Sequence, residues 1–343
     1  MPARPAATAV LVLAALVAPL AACAGPAAGG APSPAAPSPG GSTTSGATAA
    51  FRPVTVDNCG TTVTITAPPR RVVTIKSTPT EMMLALGLGD RIVGEAYQDG
   101  PVPARWSAAA AHIPVLSDKV PGQEPVLALA PDLVYAGWES NVSANGGVGD
   151  RATLASRGIA TYVSPSACKE KAYQPDPLTF DDVFSEITQV GDIFGVPDRA
   201  AALVAQQKAA LAAITPVKNV TAFWWSSGVS TPYAGAGIGA PQLIMSTAGV
   251  TNVLAGVHDT WTSAGWEDIV KANPDVLVLV DASWNTYESK IKALESNPAL
   301  SQLTAVKEKR FVRLPFASTE AGVRNVEAAA SLVAQVRALG LGG

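Results

Sequence analysis

The chain has 343 residues, with 24 Lys and Arg against 27 Asp and Glu, a formal charge of −3, 48 % hydrophobic side chains and only 15 % charged ones. That is enough apolar material for one large core or two medium ones, and the lack of any basic excess or basic run excludes the electrostatic footprint of a nucleic-acid binder. Two His and three Cys do not make a four-ligand zinc site at their spacing, and nothing indicates a haem or cluster, so no resident metal or cofactor is expected.

The chain opens on Arg4 and an apolar run over 6–20, too short to span a bilayer, and closes that run with Leu20-Ala21-Ala22-Cys23. A basic start, an apolar middle and small residues at the end read as an export signal over 1–22. Its end resembles the lipobox of bacterial lipoproteins, in which the Cys is lipidated and becomes the new N-terminus; the alternative is an ordinary signal with a chance Cys. Residues 23–50 follow as an Ala/Gly/Pro/Ser-rich stretch, with no charge between Arg4 and Arg52, and predict a flexible tether. With Cys23 committed to lipid, Cys59 and Cys168 remain. Outside the cytoplasm such a pair is expected to be bridged, the alternative being two buried thiols.

From 51 onward, strand and helix signals alternate. Strands are predicted at 72–75, 91–94, 132–136 and 159–163, with helices at 79–87, 126–130 and 151–157 between them. Short apolar strands spaced by helices mean a parallel sheet with crossover helices. The pattern then changes to two helical stretches, 179–195 and 197–214, with Pro197 at a helix start. Alternation resumes with strands at 220–224, 275–280 and 310–314 and helices at 241–248, 266–272, 289–295 and 320–339. The expected fold class is α/β: two similar lobes with mainly parallel sheets, joined by a single long rigid helix, with a ligand cleft between them. The expected boundaries are 51–178, 179–218 and 219–343.

One phrase occurs in each lobe: Glu124-Pro-Val-Leu-Ala-Leu-Ala-Pro-Asp132-Leu-Val and Glu267-Asp-Ile-Val-Lys-Ala-Asn-Pro-Asp275-Val-Leu-Val. Both read as an acid, a short helix, Pro-Asp and an apolar strand. With the lipobox, the tether, the opening RVVTI…TEMMLALGLGDRIVG and the single helical connection, these phrases resemble the metal-chelate/cobalamin family of solute-binding proteins, the extracytoplasmic receptors of ABC importers. The resemblance covers roughly residues 51–340. It implies one small-molecule ligand held between two α/β lobes. It also implies a permease dimer with its ATPase subunits as partner, membrane attachment through the N-terminal lipid alone, and a monomeric receptor. Ferric siderophores and corrinoids are the usual cargo. The phrases YAGWESNVSANG, SACKEKAYQP and PYAGAGIGAPQ resemble an actinobacterial branch proposed to bind a flat, anionic precursor of the deazaflavin redox coenzyme.

Ligands of open parallel sheets bind beyond the carboxyl ends of the strands. Candidate binding residues are therefore Lys76, Ser77, Thr78, Tyr97, Trp138, Glu139, Trp224, Trp225, Trp284 and Arg324, with Glu320 also following the last strand. Flat aromatic walls with Lys76 and Arg324 would suit a conjugated or anionic ligand. One of Trp224 and Trp225 could instead pack the core, because adjacent strand residues face opposite ways, and Lys76 and Arg324 could be surface charges. The Gly-rich run 235–241 before a helix is either a plain turn or a ligand contact through backbone amides. Glu124 and Glu267 match the acidic pair with which the family docks its permease, although an acid at a helix start is also a common stabiliser. No G-x-S-x-G elbow, HExxH or Walker motif occurs, so an enzyme is not expected. The alternatives are an exported enzyme on the same scaffold or an adhesive lipoprotein.

Overall fold

A computed structural model describes residues 51–343. The signal over 1–22, Cys23 and the tether 23–50 lie outside the described residues. The first element is an antiparallel hairpin, β1 (Val54–Asn58) and β2 (Thr61–Ile65), absent from the expectations above. Val56, Val63 and Ile65 point inward and Thr residues outward, an ordinary half-buried pattern. The turn hides it: Cys59 and Gly60 both sit in the left-handed region, φ 54 and 74, and Cys is an unusual tenant there.

The N-terminal sheet is built by β3 (Val72–Ile75), α1 (Ser77–Ala85), β4 (Ile92–Ala96), α2 (Ser107–Ala110), β5 (Val115–Ser117), α3 (Gln123–Ala128), β6 (Leu133–Ala136), α4 (Arg151–Ser156) and β7 (Ala160–Val163). Its strands pair in parallel in the order β5-β4-β3-β6-β7. The central strands β3 and β6 are buried at every position, as a parallel sheet covered on both faces requires.

The connector is not one rod. Thr179 and Asp182 form a reciprocal cap that starts α5 (Phe180–Ile193), Gly195 at φ 67 ends that helix, and Pro197 opens α6 (Pro197–Ala212). The two helices pack against each other. A Cβ on Gly191 would collide with Ala200, so that glycine sets their spacing.

The second sheet follows: β8 (Val220–Ser227), β9 (Tyr233–Gly235), α7 (Ala240–Ala248), β10 (Val250–Asn252), β11 (Trp261–Ser263), α8 (Trp266–Ala272), β12 (Val276–Asp281), α9 (Tyr287–Ser296), α10 (Thr304–Lys307), β13 (Phe311–Pro315) and α11 (Asn325–Ala338). Strands β8, β10, β12 and β13 pair in parallel, whereas β9 and β11 add an antiparallel edge. The α/β class with mainly parallel sheets holds.

The repeated phrase has one structural job in both halves. The Asp132 carboxylate accepts from the Arg70 and Arg71 amides at 2.7 and 3.0 Å, fastening the entry of β3 beside β6. The Asp275 carboxylate accepts from the Thr221 amide and hydroxyl at 2.8 and 2.7 Å, fastening β8 beside β12.

The last helix starts five residues later than its expected first position, at Asn325. The buried Asn325 side chain accepts from the Gly322 amide at 2.8 Å and donates to the Ser318 and Glu320 carbonyls at 3.1 and 2.7 Å. It holds the preceding residues as a loop and keeps Glu320 off the helix.

Cys59 and Cys168 form a disulfide across a separation of 109 residues. It straps the hairpin to the loop after β7, where Asn58 already exchanges two 2.8 Å hydrogen bonds with Val163. Closing so long a loop stabilises by about 4–5 kcal/mol in the chain-entropy description. A Cys59→Ser/Cys168→Ser protein should therefore lose several kcal/mol in urea unfolding, and an unchanged midpoint would show that the bond constrains little.

Candidate functional site

A cavity of about 530 Å³ is lined by residues that follow strands of both sheets: Tyr97 after β4, Trp138 after β6, Ser226 and Ser227 ending β8, Trp284 after β12 and Phe316 after β13. Its aromatic side chains come in pairs. Tyr97 meets Trp138 edge-on at 5.7 Å, Trp284 meets Phe316 edge-on at 5.4 Å, and Tyr233 stacks on Trp261 at 5.9 Å. Trp284 remains 50 % exposed, which leaves ring surface free for a ligand.

Lys76 lies behind this wall and not on it. Its side chain is 1 % exposed, and its Nζ sits 4.1 Å from the Trp138 ring centre, 4.3 Å from Tyr97 and 5.0 Å from Phe316. The ammonium pairs with the Asp99 carboxylate. Burial raises the Asp99 carboxyl above its usual range, and Lys76 pulls it back. The Asp99 amide donates to the Ser77 hydroxyl at 2.8 Å. Lys76 holds φ 81, a strained conformation for a residue with a Cβ. Glycine at position 137 makes room for it, because a Cβ there would stand 2.7 Å from that of Lys76. One ammonium therefore anchors three rings of the cavity by cation–π attraction. Ser77 and Thr78 are buried in the same layer.

The other expected residues divide. Trp138, Tyr97 and Trp284 line the cavity. Glu139 does not; its carboxylate accepts from the Lys169 amide at 2.6 Å and steadies the loop that supplies the wall. Trp224 and Trp225 are both core, at 0 and 1 % exposure, on opposite faces of a sheet that helices cover on both sides. Trp225 packs edge-on against Trp266 at 4.9 Å. Arg324 is also withdrawn. It donates to Glu81 at 3.2 Å in a buried pair, and burial pushes the Glu81 carboxyl up to about 7 although Arg324 pulls it down. Glu124 and Glu267 are exposed in the first turns of α3 and α8, each after an extended glycine, Gly122 or Gly265, and neither lines the cavity.

Among the described residues, the charged side chains on the lining are Lys169 and Glu320. Glu320 accepts from the Trp138 indole at 3.3 Å, and burial pushes its carboxyl up to about 7 against the pull of Lys76. Its place after the last strand was visible in sequence; its role was hidden by the expectation of a helix start. Lys169 sits in a loop with no periodicity to mark it. Ser166, Gln174, Ser226, Ser227 and Thr260 supply uncharged polar groups, and Gly239 and Ala240 at the start of α7 bring the Gly-rich run to the wall.

A sequence model described as a periplasmic binding protein matches residues 72–317. Over 298 residues the chain is 27 % identical to the uncharacterized ABC transporter substrate-binding lipoprotein YvrC of Bacillus subtilis (strain 168), covering 83 % of this chain and 85 % of that one. A periplasmic binding protein from Veillonella parvula superimposes with a TM-score of 0.73 at 27 % identity, covering 83 % of this chain and 98 % of the other. An ABC-type Fe3+-hydroxamate transport system protein from Saccharomonospora viridis superimposes with a TM-score of 0.69 at 28 % identity, covering 82 % and 98 %.

Proposed function

The chain belongs to the periplasmic binding protein family, and we propose that its cavity receives a metal chelate of low net charge, of the ferric hydroxamate class. The protein is the extracytoplasmic solute-binding receptor of an ABC importer. In this reading a lipid on Cys23 anchors a monomer, the lobes are 51–178 and 219–343 with 179–218 between them, and no bond of the ligand is made or broken. The permease dimer with its ATPase subunits takes the delivered ligand.

The lining carries the reading. Six aromatic rings face a space whose charged groups are Lys169 and a carboxyl near neutrality. Lys76 and Arg324, which would have favoured a strongly anionic ligand, are buried off the lining and paired with Asp99 and Glu81. A bulky chelate with ring or methylene faces and little charge is what such a wall binds. The similarity to the Saccharomonospora viridis protein, which bears the Fe3+-hydroxamate name, supports the same class. A second reading, the flat deazaflavin-type phosphodiester, draws on the start of α7 and Lys169 in the wall.

Titration with a ferric trihydroxamate should quench tryptophan fluorescence saturably. Trp138→Ala and Trp284→Ala should each weaken binding about ten- to a hundredfold, since lost stacking is worth on the order of 1–3 kcal/mol. No response to the chelate, together with saturable binding of a deazaflavin phosphodiester, would transfer the assignment to the second reading.

A further inference from the structure

A second cavity, of about 340 Å³, adjoins the first and shares a partition with it: Ser166, Gln174, Pro175, Leu178 and Ala321. Its remaining walls come from the loop before α5 and from α5 itself. Among the described residues no Lys, Arg or His lines it, whereas Asp182 and Glu186 do. Glu186 interrupts the apolar stripe formed by Val183, Ile187 and Val190, an expensive place for an acid without a counter-charge.

Only 6 % of Glu186 is exposed. One of its oxygens accepts from the Tyr135 hydroxyl at 3.0 Å. The other takes part in no hydrogen bond among the described residues, yet it is not sealed away as Glu81 Oε2 is. It is the oxygen left to the cavity. Burial pushes the carboxyl up to about 7, against the pull of the Ser164 and Tyr135 hydroxyls, so the site lacks a positive partner. Gln174 uses its amide nitrogen on the Cys168 and Lys169 carbonyls at 2.7 and 3.3 Å, and Gln189 Oε1 accepts from Tyr162 at 2.6 Å. The amide oxygen of Gln174 is thus left as an acceptor beside Glu186, in a lining that holds no positive charge among the described residues.

The geometry points to a binding site for an organic ammonium group, held by Glu186 and carried on an arm of the ligand whose chelate fills the first cavity. The arm rests on the chelate reading above; the ammonium site does not. An –NH3+ brings three donors and the missing charge, and its approach draws the proton off Glu186. The resulting hydrogen bond is charge-assisted.

Propylammonium is the probe for the site alone. Chemical-shift titration at pH 7.5 should show saturable binding to the wild-type protein and at least tenfold weaker binding to Glu186→Gln. That variant keeps the Tyr135 hydrogen bond and removes a buried charge, so it should fold, and its melting curve checks this. An equal response in both proteins, or none in the wild type, overturns the site. For the arm, a ferric trihydroxamate with a pendant ammonium is compared with its N-acetylated twin. The wild type should prefer the ammonium form by roughly tenfold, as expected of a charge-assisted contact, and Glu186→Gln should erase the preference. Equal wild-type affinity for the two chelates overturns the arm. Failure of both chelates to bind removes the chelate reading, while propylammonium still decides the site.

Discussion

Lys76→Met should destabilise the protein by about 3–5 kcal/mol, the usual cost of leaving one member of a buried ion pair alone. The ammonium is enclosed by Tyr97, Trp138 and Phe316 and faces Asp99, so the buried carboxylate keeps only Ser77 as a partner once the Lys has gone. Asp99 must then fold protonated. A carboxyl whose folded pKa is raised contributes stability that is present at low pH and lost as pH climbs through that pKa. The deficit of the single variant should therefore shrink on acidification. The paired change Lys76→Met/Asp99→Leu removes both charges and should recover most of the loss, because apolar replacements of a whole buried pair are often neutral. Urea unfolding of wild type, both single variants and the double variant measures the coupling. A loss below about 1 kcal/mol in Lys76→Met would show that water reaches Asp99 and that the pair is not a structural anchor.

Joint reversal of Glu124 and Glu267 to Lys should abolish stimulation of the permease ATPase and leave ligand affinity near wild type. Each acid stands eight residues ahead of the Asp that fastens a central strand, so the two occupy equivalent places in the two halves. Both are exposed, and neither lines either cavity. Exposed ion pairs are individually worth about 0–1 kcal/mol, so either single reversal should slow uptake only modestly. In the docking reading each acid meets a basic patch of the permease, so reversing both would set like charges together at two places at once. The decisive comparison is solution affinity against ATPase stimulation in vesicles. Normal stimulation by the double variant would reduce these acids to helix-start stabilisers, and a collapse of affinity would place them in the binding machinery.

The parts of this fold that could be read in sequence are those whose cause is local. Val72-Val73-Thr74-Ile75 and Asp275 to Val280 announce buried strands by composition, and Pro197 announces a helix start. The paired Pro-Asp phrases gave away the internal likeness of the halves, although not that each Asp binds a neighbouring strand. The hairpin at β1 and β2 escaped because its turn places a Cys where Gly or Asn is usual. Three cavity-wall aromatics, Tyr97, Trp138 and Trp284, followed from the strand-end rule. Trp224 and Trp225 obeyed the same rule and are core, since strand position does not say whether helices cover both faces. The charges were least legible. Lys76 and Arg324 look like ligand anchors until Asp99 and Glu81 are found beside them, and those pairings depend on distances in space. Glu320, already placed after the last strand in the sequence, reaches the cavity wall because a buried Asn325 delays the helix.

The chain crosses between its two main sheets once, through α5 and α6, and Gly191 lets that pair pack face to face. A doubled strut of this kind would bend less than a single extended link. If it holds in both states, empty and loaded receptors would share nearly the same outline, and a permease would not tell them apart by a large change of shape. An empty receptor would then occupy a permease about as readily as a full one. Uptake would depend on the ratio of loaded to empty receptors as well as on the number of loaded ones. A cell facing scarce solute would not import faster by crowding its surface with more receptor.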